Sequence, residues 1–167
     1  PEVYSFTSLE RVINESKTRN TKIPIHINID TGMKRLGFEM SELQKLNEIV
    51  KSEKLRVVSI FSHLASSDDI LEKKFNQNQF DQFDKAYKIL TLNMDERPLK
   101  HILNSAGILN FPDNQYDMVR LGIGLYGVNN TGLKNNPLLA IGRLVSEISQ
   151  IKNVSENETI GYSRKGK

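Results

Sequence analysis

The chain contains no cysteine, only three histidines and five prolines, and little excess of one charge. Without cysteine there is no disulfide framework, no thiolate metal site and no cysteine nucleophile. A reducing compartment fits that composition, so a cytoplasmic location is expected. Three histidines without tight His/carboxylate spacing leave no metal to expect, although His63 lies near Asp68 and Asp69 in the chain. The 23 Lys and Arg against 20 Asp and Glu leave a net charge of +3. That small surplus, with a pI near 9.1, gives little support to a nucleic-acid partner. No apolar run reaches the length of a membrane span and no secretory signal is visible, so no membrane partner is expected. Ten glycines, 38% hydrophobic and 26% charged residues exclude collagen-like, mucin-like and wholly disordered classes.

The 167 residues suit one domain or part of a larger one. Strands alternate with helices along most of the chain. Val3 to Phe6 reads as a strand, with Thr7 and Ser8 as a cap for the helix carrying Leu9, Val12 and Ile13. The β-branched run Ile23 to Asp30 reads as a buried strand, and Ser41 as the cap of a helix with Leu43, Leu46, Ile49 and Val50 on one face. Leu55 to Phe61 is a third strand, followed by a polar helix with Phe75, Phe80, Phe83, Tyr87 and Leu90 at helical spacing. Pro98 breaks that helix before the strand Leu99 to Leu103, and a short helix runs from Ser105 to Leu109. Tyr116 to Leu121 is a fifth strand candidate. Such alternation implies parallel pairing, because parallel strands need a crossover. Asn129 to Pro137 then forms a turn-rich linker, Leu139 to Ile151 one extended strand and Asn153 to Glu158 a turn. The expected fold is α/β, a partial (β/α)8 TIM-type barrel of about five strands over residues 1–132, followed by the start of an all-β domain over residues 133–167.

Polar groups gather where the strands end. Asp30 and Thr31 close the second, His63 the third, Asn104 and Ser105 the fourth, and Arg120 the fifth, leading into Gly122, Ile123 and Gly124. In parallel α/β architectures ligand sites assemble at the carboxyl ends of strands, so these groups are expected to share one mouth. Asn104 and Ser105 open a helix whose amides could hold an anion, or they are an ordinary cap. Gly122 and Gly124 could present bare amides to the same anion, or make a tight turn. His63 reads as a structural hydrogen-bonding histidine. Arg35, on a loop after a strand, suits a carboxylate or phenolate partner and reads equally as surface charge.

These residues together resemble the alanine racemase family, whose members combine a (β/α)8 barrel and a β domain around pyridoxal 5'-phosphate. His26-Ile27-Asn28-Ile29-Asp30-Thr31-Gly32-Met33-Lys34-Arg35-Leu36-Gly37 resembles its H-x-K-x-D-T-G-M-x-R-L-G segment, and Phe61 to Asp68 its T-H-F-A-x-A-D strand end. Asn104-Ser105-Ala106, Val119 to Gly127 and Ile160-Gly161-Tyr162 are similar to three further segments in the same order. The resemblance implies that Arg120 faces the pyridine nitrogen and that His63 buttresses Arg120. It implies that Asn104, Ser105, Gly122 and Ile123 bind the phosphate, and that Arg35 contacts the phenolate oxygen and the substrate carboxylate. Tyr162 is implied as one of two acid/base groups, reaching from the β domain into the site of the partner in a homodimer. The implied reaction is interconversion of L- and D-alanine, which supplies D-alanine for peptidoglycan.

The sequence departs from the family pattern in two places. Asn28 stands where many members have a lysine, often carbamylated, that positions the arginine. A neutral amide supplies no such charge, so an anion such as chloride at Asn28 and Arg35 is expected, or a less firmly held Arg35. The lysine that bonds covalently to the cofactor lies in an N-terminal motif that nothing in the chain matches. The chain lacks an initiator methionine and stops within a polar stretch. The expectation is a central piece of a longer enzyme, inactive by itself. Alternatives are a racemase of another small amino acid such as serine, a non-catalytic pyridoxal-phosphate-binding barrel as in cofactor-homeostasis proteins, and a plain phosphate-binding barrel.

Overall fold

Four strands line up in chain order as one parallel sheet, β1 (Glu2–Val3), β2 (Pro24–Asn28), β3 (Arg56–Phe61) and β4 (Leu99–His101). A computed structural model describes residues 1–158 apart from 54, 93, 132–135, 144 and 157. Between and after the strands run α1 (Phe6–Thr18), α2 (Leu43–Ser52), α3 (Lys73–Thr91) and α4 (Ser105–Asn110). Each strand pairs with the one before it, which is the sequential winding of a barrel; a doubly wound sheet reverses its order partway. The expected α/β partial barrel is therefore what forms. Among the described residues no helix is long and apolar enough to cross a membrane.

The β-branched and aromatic runs fill the layer between sheet and helices. Ile25, Ile27 and Ile60 are fully buried, as are Leu46, Phe83, Ala86 and Leu90 from the helices. A buried phenylalanine such as Phe83 stabilises this layer by about 2 kcal/mol. Helix α3 is more than an apolar stripe. Asn76 and Gln79 share its buried face with Phe80 and Phe83, and both are fully buried. Their amides grip the loop after β3: Asn76 Nδ2 donates to the Ser66 carbonyl, and Gln79 Nε2 to the His63 carbonyl, while Gln79 Oε1 accepts from the Ala65 amide.

The opposite, concave face of the sheet is polar. In-register pairing sets Glu2, His26, Asn28, Ser59, Phe61 and His101 on that one face. A register shift between Ile25 and His26 makes Val58 an extra residue in β3 and brings Ser59 opposite His26. In a regular ladder Val58 would oppose His26 and Ser59 would turn toward the helices.

Several boundaries differ from those read from the sequence. β1 ends at Val3 because Ser5 caps α1, its Oγ accepting from the Ser8 amide at 3.2 Å; Thr7 and Ser8 lie inside the helix. Before α2 the chain makes a 3-10 turn over Met40–Glu42, so Ser41 does not cap that helix. The fifth strand does not form. Tyr116 adopts a left-handed φ of 53°, and the Asp117 carboxylate takes the Lys100 amide at 2.8 Å. Only isolated bonds then tie this segment to β4, Asp117 N to the Lys100 carbonyl and Arg120 N to that of Leu103. Among the described residues of 139–151 no strand pairing forms, so the extended strand expected there is absent from them.

Candidate functional site

A cleft of about 440 Å³ opens where the chain leaves β3 and β4. His63, Asn104, Ser105, Arg120, Gly122 and Ile123 all line it, together with Met33, Ser67 and Asp68. The strand ends thus converge for β3, β4 and the segment carrying Arg120. The end of β2 behaves differently. Asp30 Oδ1 accepts from the amides of Gly32 and Lys34 at 2.8 and 3.1 Å, organising its own loop. Thr31 is buried, its hydroxyl 2.8 Å from that of Ser62 and accepting from Gln79. Their chemistry is structural, and neither side chain faces the common mouth. Gly37 permits this loop: its φ is +124°, and a Cβ there would come within 2.5 Å of the Asp30 amide nitrogen.

Arg120 is the most heavily engaged residue of the cleft. Its guanidinium donates to the Ser62 carbonyl at 2.6 Å and to that of Ile102 at 3.4 Å, reaches His63 Nδ1 at 3.2 Å, and hydrogen-bonds His101 Nδ1. It also lies over the Phe61 ring, 5.1 Å from the centroid. A guanidinium has donors only, so both imidazoles present a bare Nδ1 and are neutral. Burial, reinforced by the charges of Arg120 and then Arg35, holds His63 below the ordinary histidine range. Burial, then Arg120 and His26, pushes His101 down to about 4. Burial also lowers Arg120, with the Glu2 carboxylate acting in the opposite sense; it remains an arginine cation at neutral pH.

On the other wall Ser105 Oγ accepts from the amides of Gly122 and Gly124 at 2.9 and 3.1 Å. Both hydroxyl lone pairs are thereby used, leaving its O–H as a donor. Asn104 caps α4, its Oδ1 accepting from Gly107 N at 2.9 Å and from Ser67 Oγ at 2.6 Å. The amides of Ser105 and Ala106 begin the helix and have no acceptor within it. A wall of hydroxyl and first-turn amides, opposite a fixed cation, is chemistry suited to an anionic ligand such as a phosphate ester.

Arg35 and Asn28 stand outside the cleft lining. Arg35 is exposed on the β2 loop, its charge close enough to depress His63. Asn28 is buried on the concave face, where its Nδ2 donates to Glu2 Oε1 at 2.8 Å. Tyr162 lies outside the described residues. Sequence reasoning missed His101, which it treated only as part of a strand, and the amides Asn76 and Gln79 that hold the His63 loop. The available signal was amide side chains at core positions of a helical stripe, and a histidine in an apolar strand next to a polar strand end.

A family model described as alanine racemase, N-terminal domain, matches residues 1–130. The alanine racemase of Fusobacterium nucleatum is 40% identical over 151 residues, spanning 88% of this chain and 41% of that protein. Alanine racemase 1 of Oceanobacillus iheyensis is 33% identical over 164 residues, spanning 96% and 43%. Among solved structures, the Bartonella henselae alanine racemase with covalently bound pyridoxal phosphate superposes with a TM-score of 0.72 at 34% identity, covering 84% of this chain and 39% of that one. The Clostridium difficile alanine racemase complexed with cycloserine gives 0.73 at 28% identity, covering 83% and 39%. The chain thus spans about two-fifths of the length of the relatives it matches.

Proposed function

The chain belongs to the alanine racemase family, its residues 1–130 matching the N-terminal domain, and from that premise we propose that the whole protein interconverts L- and D-alanine with pyridoxal 5'-phosphate. The observation that carries this reading is the single cleft lined by His63, Asn104, Ser105, Arg120, Gly122 and Ile123. When bound, the cofactor supplies an electron sink that acidifies the Cα proton of an amino acid.

The residues fit that group. Ser105, through its hydroxyl, and the Ile123 amide would hold the phosphate, with Gly122, whose own amide is given to Ser105 Oγ, shaping the turn beside it and Asn104 keeping the helix end in place. Arg120 would donate a hydrogen bond to the pyridine nitrogen. A guanidinium does not release its proton at neutral pH, so Arg120 binds that nitrogen without protonating it. By leaving that nitrogen uncharged, Arg120 would favour removal and return of one proton over further reactions of the substrate. His63 and His101 orient Arg120 as neutral acceptors. Arg35 would contact the phenolate oxygen and the substrate carboxylate, and its charge already bears on His63. Tyr162 would hold or return a proton on one face of Cα; racemisation needs acid/base groups on both faces. The covalent lysine is assigned to a part of the protein other than this chain, and the chain alone is expected to be inactive. We also take residues 1–132 as barrel and 133–167 as the start of a β domain, a homodimer sharing Tyr162 between subunits, a cytoplasmic location and a role in D-alanine supply for peptidoglycan.

The test is to load the intact protein with pyridoxal phosphate and follow L- and D-alanine by chiral chromatography, with serine in parallel. Alanine racemisation well above serine supports the reading. Preference for serine points to the alternative substrate, and cofactor binding without racemisation of any amino acid points to a non-catalytic barrel.

A further inference from the structure

We propose that Ser59 is a positioning residue for Arg120, its hydroxyl joining His26 to His101 and fixing the imidazole on which the guanidinium rests. The inference rests on the racemase reading for its catalytic consequence and on geometry alone for the rest. Ser59 is fully buried, with its Oγ 3.1 Å from His101 Nε2 and 2.7 Å from His26 Nδ1.

The direction of the His101 bonds follows from Arg120, and that of the His26 bond from the burial of the Ser59 hydroxyl. Because the guanidinium can only donate, His101 Nδ1 accepts and the neutral ring carries its proton on Nε2. That N–H donates to Ser59 Oγ. Ser59 Oγ has lone pairs enough to accept from both rings, but its own buried proton needs an acceptor. Among the described residues the partner in reach is His26 Nδ1, which leaves a neutral His26 protonated on Nε2. One hydrogen-bond polarity therefore runs from the cleft at Arg120, through His101 and Ser59, to β2 on the concave face. The His101 ring is held at both ends, by Arg120 and by Ser59, and stacks on Phe61 with centroids 5.0 Å apart and planes 2° from parallel. Rotation about its χ2 would break both bonds at once. The register shift in β3 is what makes this possible, since it brings Ser59 onto the face shared by His26 and His101. Bulges that re-aim one side chain recur beside functional sites.

Long-range 1H–15N spectra of 15N-histidine-labelled protein, assigned with His26→Asn, read the tautomers directly. Wild type is expected to show His101 and His26 as Nε2–H tautomers, with His26 Nδ1 shifted as a hydrogen-bond acceptor. In Ser59→Ala that acceptor shift is lost and the His101 Nε2–H exchanges faster with solvent; Ser59→Thr, which keeps the hydroxyl, restores both. In the cofactor-loaded intact protein, Ser59→Ala is expected to lower kcat for alanine about tenfold with KM little changed, and Ser59→Thr to recover it. A wild-type His101 protonated on Nδ1, or spectra unaltered in Ser59→Ala, overturns the proposal even if that variant folds poorly. Absence of racemisation in wild type overturns the racemase reading instead, and the tautomer result still decides the role of Ser59.

Discussion

Arg120 rests on His101: the guanidinium donates to Nδ1 of an imidazole that is only 3% exposed and is held neutral by burial and by that same positive charge. Its pKa of about 4 lies below the ordinary 6.5. The unfolded chain therefore binds more protons between those values. The stability contributed by neutral His101 is complete above pH 6.5 and is lost as pH falls toward 4. Thermal unfolding from pH 7 to pH 4 is expected to show a falling midpoint, with a shallower slope in His101→Asn. Parallel slopes would show that His101 does not carry this dependence.

Ser105→Ala removes the acceptor shared by the Gly122 and Gly124 amides. Each stranded amide costs about 1–3 kcal/mol if it finds no other partner. Under the proposed function, affinity for pyridoxal phosphate should fall at least tenfold, read by absorbance during cofactor titration. Unchanged affinity would remove Ser105 from the phosphate wall.

Gly37→Ala places a methyl group 2.5 Å from the Asp30 amide nitrogen at a φ of +124°. The loop cannot accept that Cβ without moving backbone, and a loss of about 2–4 kcal/mol is expected in urea unfolding. A change below about 0.5 kcal/mol would show that the loop relaxes freely, as surface substitutions do.

An anion at Asn28 and Arg35 has to compete with the Glu2 carboxylate that Asn28 already holds at 2.8 Å. Bromide in crystals of the Glu2→Gln variant is expected to give an anomalous peak beside Asn28, with none in wild type. A wild-type peak would make the halide, not Glu2, the resident negative charge.

The helical stripe of α3 was legible because Phe80, Phe83 and Leu90 repeat at the spacing that buries one face. The same stripe concealed Gln79, whose role depends on a loop sixteen residues upstream in the chain. Local pattern also proposed a fifth strand at Tyr116 to Leu121, where the left-handed Tyr116 and the Asp117 side chain disrupt the ladder.

Order of elements, parallel pairing and the polar residues after β3 and β4 were determined by the amino-acid sequence alone, because periodicity and crossover connections are properties of the chain itself. Tertiary structure alone decided that Thr31 turns inward, that Arg120 binds two histidines rather than one, and that Ser59 faces His26. Those outcomes depend on register and on which buried donor meets which acceptor across segments far apart in the chain. No local spacing encodes that information.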